Sequence, residues 1–184
     1  MKKLNPEQLP IRIIGDKVLR KVAEPIKTID DELLDFLQDL AFTMYETDGV
    51  GLAAPQVGRS IRAFVVDPFW YREGHEKNPI FFINPKFHRF EGEEGGDEGC
   101  LSVPGIFEKV LRAEELTVEA TNEKGVTFTM EAEGFLARVI QHENDHLDGI
   151  LFIDKIPKLR RMIHAKRLRE LKSTTNEQGI NLGK

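Results

Sequence analysis

The chain has 184 residues, 40% of them apolar, and a formal net charge of −5. Such a length suits one domain burying about 70% of its unfolded surface, and the acidic balance argues against general nucleic-acid binding. No stretch approaches the roughly 20 apolar residues of a membrane span, and the lone cysteine, Cys100, excludes an internal disulfide.

The opening Met1 to Pro6 leads into no apolar core of signal-peptide length, so the expectation is a cytoplasmic protein with no membrane and no DNA partner. Residues 11 to 27 mix an extended start with one short helical turn and read as a strap laid across the body. From Asp30 to about Thr47, Leu33, Leu34, Leu37, Leu40, Ala41 and Met44 recur at helical spacing, with acidic residues in the first turn, which predicts a helix. Gly49-Val50-Gly51-Leu52-Ala53-Ala54-Pro55-Gln56 follows, too rich in small residues for a stable helix and too apolar for a solvent loop. Its composition suits backbone that something else must approach closely.

Ile61 to Val66 and Ile80 to Ile83 read as strands joined by a loop, with Phe87 and Phe90 extending the second. The acidic, glycine-rich run 91 to 97 reads as a mobile loop leading into Glu98-Gly99-Cys100-Leu101-Ser102. Residues 116 to 120 and 126 to 130 alternate around Asn122 to Gly125, a hairpin signal. A helix follows with Phe135, Leu136, Val139, Ile140 and Leu147 on its surface, and Pro157 opens a last helix striped by Leu159, Met162, Ile163, Leu168 and Leu171. The expected fold is α+β: antiparallel β-sheets around a central metal-binding helix, with an N-terminal and a C-terminal helix packed outside. Residues 1–172 are expected to form a single catalytic domain and 173–184 a disordered polar tail.

Chemistry concentrates in Gln141-His142-Glu143-Asn144-Asp145-His146. At 3.6 residues per turn, His142 and His146 stand on one face and can share a cation, while Glu143 is offset enough to reach a water beside it. Two histidines leave a tetrahedral site half filled. A third histidine at the metzincin spacing would fall at position 152, which is Phe152, and the downstream glutamates, Glu170 and Glu177, lie in the basic helix and the tail. His75, His88 and His164 read as ordinary surface histidines. Cys100 reads either as a small buried apolar side chain or as a thiolate ligand, and beside the histidine motif the thiolate is favoured.

The segments 49 to 56, 98 to 102 and 141 to 146 together resemble the three signature motifs of the peptide deformylases, in that family's order. Gly15 to Arg20 is also similar to the family's opening, except that many relatives carry proline where Lys17 stands. The resemblance implies a metal-dependent hydrolase that removes the N-formyl group from the initiator methionine of nascent polypeptides and releases formate. Cys100, His142 and His146 would hold one divalent metal and leave its fourth position to water. Ferrous iron would be native, with zinc, nickel or cobalt able to substitute. Glu143 would move the water's proton, and Gln56 with the backbone N–H of Leu101 would stabilise the oxyanion.

Val50, Leu101, Val139 and the ring of His142 would line the methionine pocket, and Gly49 to Gly51 would pair with the substrate peptide as an added strand. Phe107 falls at the pocket mouth, where some relatives carry arginine. Residues 155 to 184 hold nine Lys/Arg against two Asp/Glu, and by resemblance this basic helix would contact the ribosome near the exit tunnel. The competing readings are a zinc peptidase cutting internal bonds, which lacks a convincing third ligand here, and a non-catalytic metal- or ribosome-binding relative, which would usually have lost Glu143, Gln56 or a ligand.

Overall fold

What covers each face of the main sheet places the helix that carries His142 and His146. The computed structural model describes residues 5–175, so the expected tail lies outside the described residues from position 176 onward. Helix α1 (Asp31–Glu46) starts at Asp30, whose carboxylate accepts the Leu33 N–H at 2.9 Å, and Asp31 and Glu32 complement the positive end of the helix. Strands β1 (Gly51–Ala53), β2 (Ala63–Val66), β3 (Ile80–Glu91), β6 (Glu115–Thr121) and β7 (Thr127–Glu133) form one antiparallel sheet in the order β1-β2-β3-β6-β7.

Successive residues of a strand face opposite sides, and β2 is buried on both. Ala63 and Val65 join Leu33, Leu37, Leu40 and Met44 of α1, whereas Phe64 and Val66 join Ala137, Val139, Ile140 and Leu147 of α2 (Gly134–Leu147). The sheet is thus packed between the N-terminal helix and the metal-motif helix, and the mix of helices with antiparallel sheets agrees with the α+β class expected from sequence. The hairpin of β6 and β7 also forms as expected, its turn closed by Asn122, which accepts the N–H groups of Lys124 and Val126.

Two expectations fail. The glycine-rich run 91 to 97 is not a loop: its second half is β4 (Glu94–Glu98), paired in full register with β5 (Glu108–Arg112) as a separate two-stranded ribbon. Ladder bonds to a partner offset the poor strand propensity of Gly95 and Gly96. The last helix is not continuous either. It breaks at His164 into α3 (Lys158–Ile163), which buries no residue, and α4 (Ala165–Ser173), anchored by Leu168 and Leu171. Of the apolar stripe expected on this helix, Leu159, Met162 and Ile163 are 77%, 68% and 66% exposed.

The strap predicted at 11 to 27 is present and touches every motif. The N–H groups of Arg12, Ile14 and Ala23 donate to the carbonyls of Gln56, Ser102 and Leu147 at 2.6, 2.8 and 2.7 Å. Gly149 ends the metal-motif segment at φ +71°, and a Cβ there would stand 2.8 Å from the Arg20 backbone, so only glycine lets the strap lie this close.

Candidate metal centre and active site

The ligand atoms of Cys100, His142 and His146 lie within 4.8 Å of one another. Cys100 Sγ is 3.3 Å from His146 Nε2, and the two imidazole rings stand 5.1 Å apart at 74°. His142 Nδ1 is 2.9 Å from Glu98 Oε2, which leaves Nε2 as its ligating atom. A thiolate with two imidazoles is a donor set for zinc, iron or nickel rather than for calcium or magnesium. The fit is supported by a buried polar atom beside the cluster that has no protein partner, Glu143 Oε2.

Glu143 is buried, and burial pushes its carboxyl up to about 7, with His142 pulling it down and Glu98 pushing it further up. A cation beside it would lower that value. Burial holds His146 well below the ordinary histidine range, with the charge of His142 acting in the same direction. Burial also works against protonation of His142, but its bonds to Cys100 and Glu98 win and hold it well above that range. A Cβ at Gly51 would come within 2.6 Å of Glu143 Oε1, so the first motif needs glycine to leave room for the acid.

Gln56 is 2% exposed and oriented at both ends. Its Oε1 accepts the Ala53 N–H at 2.8 Å, which turns Nε2 toward Cys100 Sγ at 3.4 Å and Ser102 Oγ at 3.3 Å. A cleft of about 580 Å³ opens over these groups. Gly49, Val50, Gly51, Gln56, Cys100, Leu101, Val139, His142 and Glu143 all line it, and His146 lies behind them, 1% exposed. Every site residue expected from the sequence is therefore brought to one place. Phe107 is on the rim, 72% exposed.

Sequence reasoning missed the support beneath this floor. Glu98 accepts two bonds from Arg112, each 2.8 Å, and one from Arg138 at 2.9 Å. Burial alone would raise Glu98, but Arg112 and His142 hold it well below the usual carboxylate range. Arg112 also pairs with Asp145, and Arg138 donates to the carbonyls of Glu94 and Val110 in the ribbon. One signal was available: Arg138 sits in the apolar run Leu136 to Ile140, four residues before His142 and so on the same helical face. His164, taken as an ordinary surface histidine, is bonded through Nε2 to buried Glu108 at 2.7 Å.

Such a frame, in which antiparallel strands press an HExxH helix against a lone thiol, belongs to the metallohydrolases. The family model "Polypeptide deformylase" matches residues 8–162. The peptide deformylase of Pseudothermotoga lettingae is 46% identical over 162 residues, 88% of this chain and 90% of its own length. That of Halothermothrix orenii is 49% identical over 151 residues, covering 82% and 95%. The crystal structure of a peptide deformylase from Legionella pneumophila superposes with TM-score 0.82 at 40% identity, covering 90% of this chain and 96% of that one. The chain belongs to the polypeptide deformylase family, metal-dependent hydrolases that remove the N-formyl group from newly made polypeptides.

Proposed function

We propose that Cys100, His142 and His146 hold the metal of this enzyme, that Glu143 is its proton carrier, and that Gln56 Nε2 with the Leu101 N–H receives the oxyanion. The observation that carries this reading is the convergence of the three ligand atoms beside Glu143 and Gln56 in one cleft. A bound divalent ion supplies Lewis acidity, which acidifies water and polarises the formyl carbonyl. Glu143 takes the proton of the attacking water and returns it to the departing amine; burial raises its basicity, and the charge of a bound cation would work against that rise. Gln56 is pre-oriented by Ala53, so donating to the developing negative charge costs no reorganisation.

A formyl carbon bears only hydrogen, so a tight site admits it and excludes bulkier acyl groups. Val50, Leu101, Val139 and the His142 ring form the side-chain pocket for methionine. The backbone edge around Gly49 to Gly51 pairs with the peptide, which is supported by the edge position of β1 in the sheet. We assign ferrous iron as the native metal, with zinc, nickel or cobalt able to replace it. Residues 1–172 act as one catalytic domain in the cytoplasm. The basic α3 and α4 dock on the ribosome near the exit tunnel: Lys158, Lys166, Arg169 and Lys172 are exposed on them and suit RNA phosphate.

Formate release from formyl-Met-Ala-Ser by anaerobically purified, iron-loaded protein tests the assignment, with Glu143→Ala as control. The expected result is release by the wild type and a loss of about 10³-fold or more in the variant, which still binds metal. No release from metal-loaded wild type overturns the reading. Equal activity of zinc- and iron-loaded protein removes the metal preference. Ribosome binding that survives deletion of residues 157–184 removes the docking role.

A further inference from the structure

Gly49 lies between α1 and β1, and both of its backbone groups are engaged away from the cleft. Its N–H donates to the Met44 carbonyl at 2.8 Å, and its carbonyl accepts from Trp70 Nε1, also at 2.8 Å. Trp70 is the chain's one tryptophan. It belongs to the loop between β2 and β3 and is held there by α1 and by the rest of that loop. The Tyr45 ring meets it edge-on with centroids 5.4 Å apart, and Lys77 Nζ stands 4.5 Å over the Tyr45 ring and 5.3 Å from that of Trp70. Asp67 fastens the same assembly: its carboxylate accepts from the Tyr45 hydroxyl and the Asn78 N–H, and its own N–H donates to the Val50 carbonyl at 2.9 Å. Just before Gly49, Asp48 adopts φ 53°, in the left-handed region that aspartate enters more readily than most non-glycine residues.

Two successive carbonyls of the cleft wall, those of Gly49 and Val50, are therefore drawn to the side of the β2–β3 loop. An edge that pairs with a peptide has one correct register, and a free carbonyl at its start would offer a competing one. We propose that Trp70 is a positioning residue for peptide binding: by taking the Gly49 carbonyl it fixes where the pairing edge begins and so selects the register of the incoming chain. This rests on the reading above that residues 49 to 51 pair with the substrate.

Trp70→Phe keeps an aromatic ring in place and removes only the donor. For formyl-Met-Ala-Ser, KM is expected to rise about five- to tenfold with a much smaller change in kcat, as for lost binding that is equal in ground and transition states. A formylmethionine amide, which lacks the downstream backbone, is expected to show less than half of that rise. In the wild type, titration with the product Met-Ala-Ser is expected to shift the emission of Trp70 and to saturate. An unchanged KM for the tripeptide, an equal loss on the two substrates, or a loss confined to kcat overturns the proposal. If Trp70→Phe does not fold, the titration decides, and emission unmoved by saturating product overturns it. Wild type that releases no formate sinks the assignment of the reaction instead, so the two failures are distinguishable.

Discussion

Arginines serve opposite purposes at the two ends of this molecule. Beneath the metal centre the side chains of Arg112 and Arg138 are 2% and 7% exposed, and carboxylates and carbonyls satisfy them on all sides. On α3 the side chains of Arg160 and Arg161 are 58% and 43% exposed, beside an apolar ridge that no element covers among the described residues. A buried cation must be fully paired, and that requirement makes it a rigid support for His142. An exposed one needs no such complete pairing: Arg160 and Arg161 each keep one carboxylate, Glu108 at 3.0 Å and Asp154 at 3.2 Å, and leave their other donors to water. The same residue type thus braces the chemistry at one end and presents charge at the other.

Breaking the buried side should have the largest effect. Glu98→Ala leaves Arg112 and Arg138 facing a void, and a loss of about 3–5 kcal/mol in urea unfolding is expected, with weaker metal retention. A loss under 1 kcal/mol would mean that the network is not the support described here. Gly51→Ala spares every charge but puts a methyl against Glu143; kcat should fall about 10- to 100-fold while the metal content stays at the wild-type level. Equal loss of metal and activity would instead place the damage at the ligands.

The link between the two regions is weaker and depends on pH. The bond from His164, with help from Arg160, holds the Glu108 carboxyl below its ordinary range. A carboxylate whose value is depressed by folding stabilises above its unfolded value, about 4.3, and loses that contribution as pH falls below it. Proteolysis within residues 158–173 should accordingly increase below about pH 4, and Glu108→Gln should remove that pH step. At the exposed end, Leu159→Ser and Met162→Ser should change stability by less than about 0.5 kcal/mol, since neither is packed on anything. A larger loss would show that the ridge is covered in solution.

Where periodicity and partner coincide, the fold was legible: Leu33, Leu37, Leu40 and Met44 of α1 face the sheet as their spacing requires. Periodicity states which residues share a face and not whether anything lies opposite, so the stripe of Leu159, Met162 and Ile163 did not reveal that they are exposed. The β4–β5 ribbon was hidden for another reason. Gly95 and Gly96 carry no strand signal, yet a Cβ at Gly96 would stand 2.8 Å from the Arg138 guanidinium, so the absence of a side chain is what admits the arginine. Type and spacing singled out His142, Glu143 and His146 and favoured Cys100, whereas Gln56, Leu101 and the pocket residues came only from the family resemblance. Their bracing was not legible, because Glu98, Arg112, Arg138 and Asp145 meet only in three dimensions.

The strap ties residues near the beginning of the chain to Gln56, Ser102 and Leu147, each made progressively later. During synthesis its N–H groups emerge first and their last acceptor near the end, so the three motifs cannot be gathered while the chain is still short. An enzyme that acts on newborn polypeptides cannot gather its own three motifs until its chain has been made at least as far as Leu147.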